Sequence, residues 1–582
     1  MKNITHDCLG YLARFVFFII FLTGCKEDNP LFKGDKREYA SKADVVRIYT
    51  GKNRLQIKFV VPNADLVSAK VFWNDRKDFV EIPINTEAET DTISTIIGPL
   101  DEGNYAFEII TSDAHGNTSI PIKVSGQAWG SQYEKSLPNR PVNDIFYENG
   151  KALIIWGKAD QGLLTEVTYT DMNNLAHTLK VPATADSTLL ENLKPGPLTT
   201  DIQYRTAFFP ELAIDTFFAE SKTQPVITGS LKDLAQTKNI FFGSLISYGG
   251  GVSDGVIYDA SPNGVYTDFC KREFNIGQAT WGPSRWSITG PSNFNDVNAV
   301  INWSRQQYDK VMAMLIVGPD NYMPSWFTTG NFTPEEMDVM LKNLVAEIMT
   351  SNDNKTKVDE WCVANELFNN DGTYRTMKWN DMGWEDDASG LTGSDQINLK
   401  HPIFVGKAFR YCREITQALL ELRDYGIEHG ESSSTYYYKH KAYYQLLKHL
   451  LATDTPVDVV GIQAHVWIGD NPTGNFSDLT NTIQKFRQLG LGVYLTELDV
   501  AANKVNSQIQ PWTPMLADQQ KKDYDHYVQA AIAGGIDLIS LWGVRDNNDA
   551  GWLLNQHPLL LDENYTRKSA YYGLQHALFE TK

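Results

Sequence analysis

The sequence has little of what usually announces a cofactor or a covalent staple. Its five cysteines are scattered through 582 residues, one at Cys8 and one at Cys25, so no disulfide framework is expected. No cluster of histidines, cysteines and carboxylates stands at ligand spacing and no nucleotide-binding glycine loop is present, so neither a metal nor a cofactor is expected. Basic residues are also short. Lys plus Arg number 52 against 71 for Asp plus Glu, a net charge of −19. That excludes a phosphate-tracking nucleic-acid binder, whose affinity depends on cationic side chains. Long apolar runs are missing as well. The run Phe15 to Leu22 is only eight residues, whereas a spanning helix takes about 20. With 42% hydrophobic and 21% charged residues the rest is ordinary globular sequence, neither disordered nor multispan.

What is present begins with an address. Lys2 and Arg14 beside the short apolar run form a signal peptide over residues 1–24. The run ends Leu22-Thr23-Gly24-Cys25, which resembles a bacterial lipobox, in which the cysteine is diacylated and becomes the new N-terminus. Cys25 is therefore the expected lipidation site, with 25–43 as linker and the membrane as a partner through the lipid anchor. The following Lys26-Glu27-Asp28-Asn29 resembles the surface-export signal of Bacteroidetes lipoproteins. An outer-membrane, cell-surface location follows as an expectation.

From Asp44 to Gln224 short β-runs alternate with turns. Leu55 to Val60 has the period-two pattern of a half-buried strand, and Lys70 to Trp73, Ile93 to Ile97 and Tyr105 to Thr111 follow it. The layout recurs roughly a hundred residues on, the size of one immunoglobulin- or fibronectin-like sandwich: Leu153 to Trp156 echoes Leu55, and Glu166 to Thr170 echoes Lys70. Two sandwiches are expected, over 44–126 and 127–226. The stretch resembles a paired β module of Bacteroidetes surface lipoproteins. It carries no catalytic constellation, so it reads as a spacer, with glycan binding as the alternative.

After Pro225 apolar runs alternate with helical stretches, the pattern of repeated βα units. Candidate strands are Asn239 to Ser247, a weak one near Gln278, Val311 to Val317, Val358 to Glu366, Leu419 to Tyr425, Val457 to Trp467, Gly492 to Val500 and Leu538 to Asp546. They suit a (β/α)₈ barrel over 227–582, with a doubly wound sheet as the alternative. The barrel has a complete set of strands, so a chain starting near Ile227 is expected to fold alone.

Two strand ends carry a glutamate. Trp361-Cys362-Val363-Ala364-Asn365-Glu366 leaves a strand on an Asn-Glu pair, and Leu495-Thr496-Glu497-Leu498-Asp499 places Glu497 at another. Glycoside hydrolysis needs such a pair, one carboxyl to protonate the leaving oxygen and one to attack or to activate water. These motifs, with Gly461-Ile462-Gln463-Ala464-His465, Trp542-Gly543-Val544 and Pro558 to Tyr565, resemble glycoside hydrolase family 10 from about residue 239 onward. The resemblance implies a (β/α)₈ retaining endo-β-1,4-xylanase. It makes Glu366 the acid/base, Glu497 the nucleophile and Asn365 the partner of a sugar 2-hydroxyl. Gln463 and His465 would orient the nucleophile, and Trp542 and Trp552 would wall the sugar.

The departures concern the glycone side. Leu315 stands where the family has a sugar-binding His, Pro319 where it has a Trp, and Tyr322 where it has a Gln, ahead of Pro324-Ser325-Trp326. Arg285 is a candidate replacement for a missing Lys, and Trp326 remains a candidate substrate contact. Asn369 to Leu399 is an insertion on the acid/base loop, long enough to shape a subsite or lid. The expected partners are a polysaccharide such as xylan or a related β-glycan, and other glycan-uptake proteins. A non-catalytic glycan-binding lipoprotein is the reading from a different class.

Overall fold

The structure is a computed structural model and describes residues 38–580, apart from 63–64, 86–89, 160–161, 250–253, 281–284, 288–291, 472, 506–507, 548 and 550. The signal peptide, Cys25 and the export signal lie outside the described residues. Among the described residues no helix is long and apolar enough to cross a membrane.

The chain divides into two units, Met1–Pro138 with Ala207–Glu220, and Asn139–Thr206 with Ser221–Lys582. In the first, Arg54–Val61 lies between Asp44–Gly51 and Asp91–Ile97, while a second antiparallel sheet runs Asp78–Pro83, Leu66–Trp73, Gly103–Asp113, Ile122–Ala128. The period-two pattern does what it should. Leu55, Ile57, Phe59 and Val61 point inward and form one core with Ala69, Val71, Phe107 and Ile109. The segment Ala207–Glu220 is held in this unit by Asp215, which takes two hydrogen bonds from Arg54, at 2.6 and 3.0 Å.

The second unit begins with two more small antiparallel sheets, around Lys151–Trp156 and Leu164–Thr170, whose core centres on Ile154, Trp156, Val167 and Tyr204. Then come eight parallel strands: β1 (Phe241–Leu245), β2 (Ile276–Thr280), β3 (Lys310–Val317), β4 (Glu360–Asn365), β5 (Leu419–Asp424), β6 (Val459–Ile462), β7 (Gly492–Ala501) and β8 (Leu538–Leu541). Each pairs with the next, and β8 pairs with β1, so the sheet closes into a barrel. Closure decides against the doubly wound alternative, which would leave two edges. Local signals set the helices. The helix Pro334–Thr350 starts on a complete capping box, with Thr333 accepting from the Glu336 N–H and the Glu336 carboxylate accepting from the Thr333 N–H.

Within this unit the small sheets touch the barrel's last helices. Lys521 pairs with Asp144, Arg567 donates to the Tyr147 carbonyl at 3.1 Å, and Phe146 packs on Tyr572 with ring centroids 4.5 Å apart. The barrel keeps a separate core of its own. A chain starting at Ile227 should therefore fold, but with a melting temperature a few degrees lower because this face is uncovered. Calorimetry of the two lengths checks it. An insoluble or molten product would mean that the sheets belong to the barrel's folding unit.

Candidate active site

The C-terminal strand ends open into a cavity of about 490 Å³ lined by Tyr322, Glu366, Tyr425, Gly426, Glu428, His429, Tyr436, Gln463, His465, Trp467, Glu497, Trp542 and Trp552. That is within the range of small-molecule sites. Both glutamates are aimed by irregular backbone. The β4 register shifts between Cys362 and Ala364, and Glu366 leaves the strand with φ of 55°, in the left-handed region that a side-chain-bearing residue seldom adopts. On β7 a second irregularity falls between Leu495 and Leu498, around Glu497.

The two carboxyl groups have opposite surroundings. Glu497 is buried and meets two cationic side chains: Arg423 Nη1 donates to Oε1 at 3.0 Å, and His465 Nε2 stands 3.3 Å from Oε2. The other His465 nitrogen, Nδ1, lies 2.9 Å from Asp499. Burial works against a charged imidazole, but Asp499 and Glu497 outweigh it and raise the His465 pKa to about 10. His465 is thus an imidazolium between two carboxylates. Glu366 differs. Burial, which is the largest effect, together with the charges of Asp424 and Glu497, raises its pKa despite the Gln463 hydrogen bond and Arg375. A carboxyl whose pKa is raised, beside a carboxylate held by two cations, is the asymmetry that acid-assisted displacement at a sugar carbon requires.

The structure brings Glu366, Gln463, His465, Glu497, Trp542 and Trp552 to one cavity. Asn365 is buried behind it, and its Oδ1 accepts from Gln463 Nε2 at 3.2 Å. Gln463 itself faces Glu366, donating to Oε1 at 3.0 Å, so its side chain serves that carboxyl and not Glu497. Arg285 is not on the cavity wall. It pairs with Asp296 at 2.9 Å in a separate cleft. Trp326 packs in an aromatic cluster with Trp286, Phe327 and Phe332, also away from the cavity. Leu315 is buried with Met314 and Cys362 beneath Tyr322 and Trp542. Asn369 to Leu399 is not among the residues that line this cavity, but its Arg375 stands 3.2 Å from Glu366 and its Asn370 accepts from the Tyr425 hydroxyl, so the insertion supports two lining residues.

Residues the sequence reading passed over complete the site. Arg423 is 1% exposed and clamped by Glu421 through two 2.7 Å hydrogen bonds, leaving Nη1 for Glu497. Gly461 on β6 makes this possible, because a Cβ there would lie 1.6 Å from Glu421 Oε1. The available signal was the Glu421-Leu422-Arg423 alternation, which puts two charges on the same face of a barrel strand. Asp499, two residues beyond Glu497, was visible by the same rule. Asp387, His401 and His449 also stand within 4.8 Å of one another, a grouping a metal could use and one the sequence spacing did not suggest.

A sequence profile of glycosyl hydrolase family 10 matches residues 230–577. The chain belongs to glycosyl hydrolase family 10. It is a glycosyl hydrolase of the retaining, endo-xylanase-like kind. Residues 27–217 match a domain family of unknown function. Endo-1,4-beta-xylanase A of Phanerodontia chrysosporium is 28% identical over 363 residues, 60% of this chain and 76% of that protein. Exoglucanase XynX of Acetivibrio thermocellus is 24% identical over 524 residues, 82% of this chain but 44% of that protein. The chain thus spans most of the first relative's length and less than half of the second's. The crystal structure of xylanase 10B from Thermotoga petrophila in complex with xylobiose aligns with 60% of this chain and 97% of that one, at 24% identity and a TM-score of 0.49.

In this family 10 barrel Arg423 is shared by two buried carboxylates, and removing one partner of such a set leaves uncompensated charge. Arg423→Met should cost about 3–5 kcal/mol of stability. Urea denaturation at neutral pH measures it, and a loss below about 1 kcal/mol, the scale of an exposed pair, would mean that the guanidinium is not what neutralises Glu421 and Glu497.

Proposed function

We propose that this protein is a lipid-anchored surface hydrolase that cuts internal β-1,4 bonds of xylan or a related β-glycan by double displacement. Glu366 is the acid/base and Glu497 the nucleophile. The observation that carries the reading is the asymmetry of the pair: burial and two neighbouring anions raise the Glu366 pKa, while Arg423 and His465 bind the oxygens of Glu497. In the first step the Glu366 proton passes to the glycosidic oxygen as its bond to the anomeric carbon breaks and the Glu497–carbon bond forms. In the second, Glu366 takes a proton from water, whose oxygen displaces Glu497. Trp542, Trp552, Trp467 and the tyrosines supply flat faces for the apolar sides of sugar rings. The xylanase relatives support xylan as the substrate. The apolar packing of Met314 and Leu315 under Tyr322 and Trp542 favours a second reading, another or a more decorated β-glycan at the glycone side.

The two glutamates separate this reading from glycan capture. Glu497→Ala should lower turnover by several orders of magnitude while uncut oligosaccharide still binds. Glu366→Ala should retain the first step on activated aryl glycosides and then stall, because a good leaving group needs little protonation. Azide should rescue it and give a β-glycosyl azide, read by NMR. An α product, or a wild-type protein that binds a glycan tightly and cuts nothing on a polysaccharide panel, would sink the assignment.

The anchor rests on Leu22-Thr23-Gly24-Cys25 and the short apolar run before it. Cys25→Ala should be unlipidated and leave the membrane fraction. Labelled palmitate still incorporated into that variant would rule the site out, and protease resistance of the protein on intact cells would rule out surface exposure.

A further inference from the structure

The insertion on the acid/base loop meets the site from behind the lining residues. It lies along the helix Tyr437–Ala452. Gln445 donates to Asp387 and to the Asn398 carbonyl, and accepts from the N–H groups of Ile397 and Asn398. The His449 Nδ1 accepts the Ala388 N–H at 3.0 Å, so its Nε2 carries the proton and points to Glu385 at 3.2 Å. Burial works to raise the Asp387 pKa, but hydrogen bonds from Ser389, His401 and Gln445 hold it well below the usual carboxylate range. Asp387 is therefore an acceptor. His401 Nε2 donates to it at 3.0 Å, and His401 Nδ1 takes the Tyr374 hydroxyl hydrogen bond at 2.6 Å. Burial lowers the His401 pKa, in keeping with this neutral ring. Every nitrogen that a metal could use is thus committed to a hydrogen bond. The cluster is an anchor.

What the anchor holds is the hairpin that carries Tyr374 and Arg375. Tyr374 packs on Phe368 with centroids 4.6 Å apart, and the Arg375 N–H donates to the Leu367 carbonyl at 2.8 Å, directly after Glu366. The guanidinium then spends its donors on three groups. Nη1 stands 3.2 Å from Glu366 Oε2, Nη2 donates to the Tyr425 hydroxyl at 2.9 Å, and Nε donates to the Phe368 carbonyl at 3.3 Å. We propose that Arg375 is a positioning residue for the two-role chemistry of Glu366: the insertion holds a fixed cation behind that carboxyl, so that it can be left as a carboxylate after giving up its proton.

The inference rests on the hydrolase reading above, and the charges around Glu366 give its logic. Asp424 and Glu497 face Glu366 and oppose its ionisation, as does burial. The other nearby cations are spent: Lys439 pairs with Asp424 at 2.7 Å, His465 lies between Glu497 and Asp499, and Arg423 joins Glu421 to Glu497. Tyr322 is neutral, its pKa raised by burial first and then by both glutamates. Arg375 is, among the described residues, the cation in contact with Glu366. Forming the glycosyl-enzyme turns Glu497 into an ester and removes one opposing charge, while Arg375 stays. The same carboxyl then becomes easier to ionise at the moment it must accept a proton from water.

The test compares wild type, Arg375→Gln, Arg375→Lys and Tyr374→Phe on an activated aryl β-xyloside, whose second step limits turnover. Arg375→Gln should move the acid limb of kcat to higher pH and lower kcat at mildly acid pH by about tenfold, the effect of a shift of about one pH unit. Arg375→Lys should restore most of both. Tyr374→Phe, which only loosens the anchor, should shift the limb the same way by less. A purely structural role would lower activity at every pH with the limbs unmoved, and that result overturns the proposal. The Glu366 carboxyl is followed in parallel by ¹³C NMR, assigned by its loss in Glu366→Gln. If wild type cuts nothing, the hydrolase reading fails by itself. A Glu366 titration that does not move up in Arg375→Gln overturns this inference in either case.

Discussion

Charge placed inside the barrel is the constraint on which the site depends. Arg423 and His465 alternate with Glu421, Glu497 and Asp499 through the strand interior, and these side chains are buried or nearly so. Burying one ion alone costs several kcal/mol, so each has to find an opposite neighbour at contact distance. That requirement explains residues with no contact to a ligand. Glu421 is there to balance and orient Arg423, and Gly461 is there because Glu421 leaves no room for a Cβ. At the bottom of the barrel, burial and then the Glu421 charge raise the Glu360 pKa well above the ordinary value, while Lys310 at 3.7 Å opposes them.

From this chain follows the difference between the two glutamates at the mouth. Glu497 stands in its middle, gripped from two sides by fixed cations, so its carboxylate is positioned before any substrate arrives, and little reorganisation is left for the reaction itself. Glu366 stands off the chain at the end of β4, past a bulge and a left-handed turn, where it feels the charges of the buried Asp424 and of Glu497. The backbone irregularities on β4 and β7 are the means by which two regular strands aim two similar side chains into such different surroundings.

How much of this the sequence disclosed depends on distance along the chain. Seven of the barrel strands were legible as local apolar runs, the one at Gln278 only weakly, and closure shows in the pairing of the last strand with the first. Glu366 and Glu497 were legible because each sits inside a short motif at a strand end. His465 was legible from its spacing to Gln463, although the side chain of Gln463 turns to the other glutamate. Arg423 was not singled out, since its meaning lies in a contact with a residue 74 positions away. Arg375 sits in a loop whose composition says only that it is irregular. Arg285 and Trp326 show the converse: their neighbours in sequence suggested a sugar site, but Asp296 and an aromatic cluster claim their side chains.

The glycone side shows what the rebuilt packing does to recognition. Leu315 offers no hydrogen bond where the family resemblance puts a histidine, and with Met314 it supports Tyr322 and Trp542 from below. A sugar hydroxyl buried against such a surface without a partner costs about 1–3 kcal/mol. Aromatic faces, by contrast, read the apolar side of a ring and are indifferent to many substituents on its rim. A site lined with hydrogen-bonding groups rejects a sugar lacking one hydroxyl far more strongly than an apolar wall rejects a small change of shape. Trp467, Trp542, Trp552, Tyr322, Tyr425 and Tyr436 share one cavity with Gln463, His465, Glu428 and His429, so ring faces and hydrogen-bonding groups both stand open to a sugar, while the packing under Tyr322 and Trp542 is apolar.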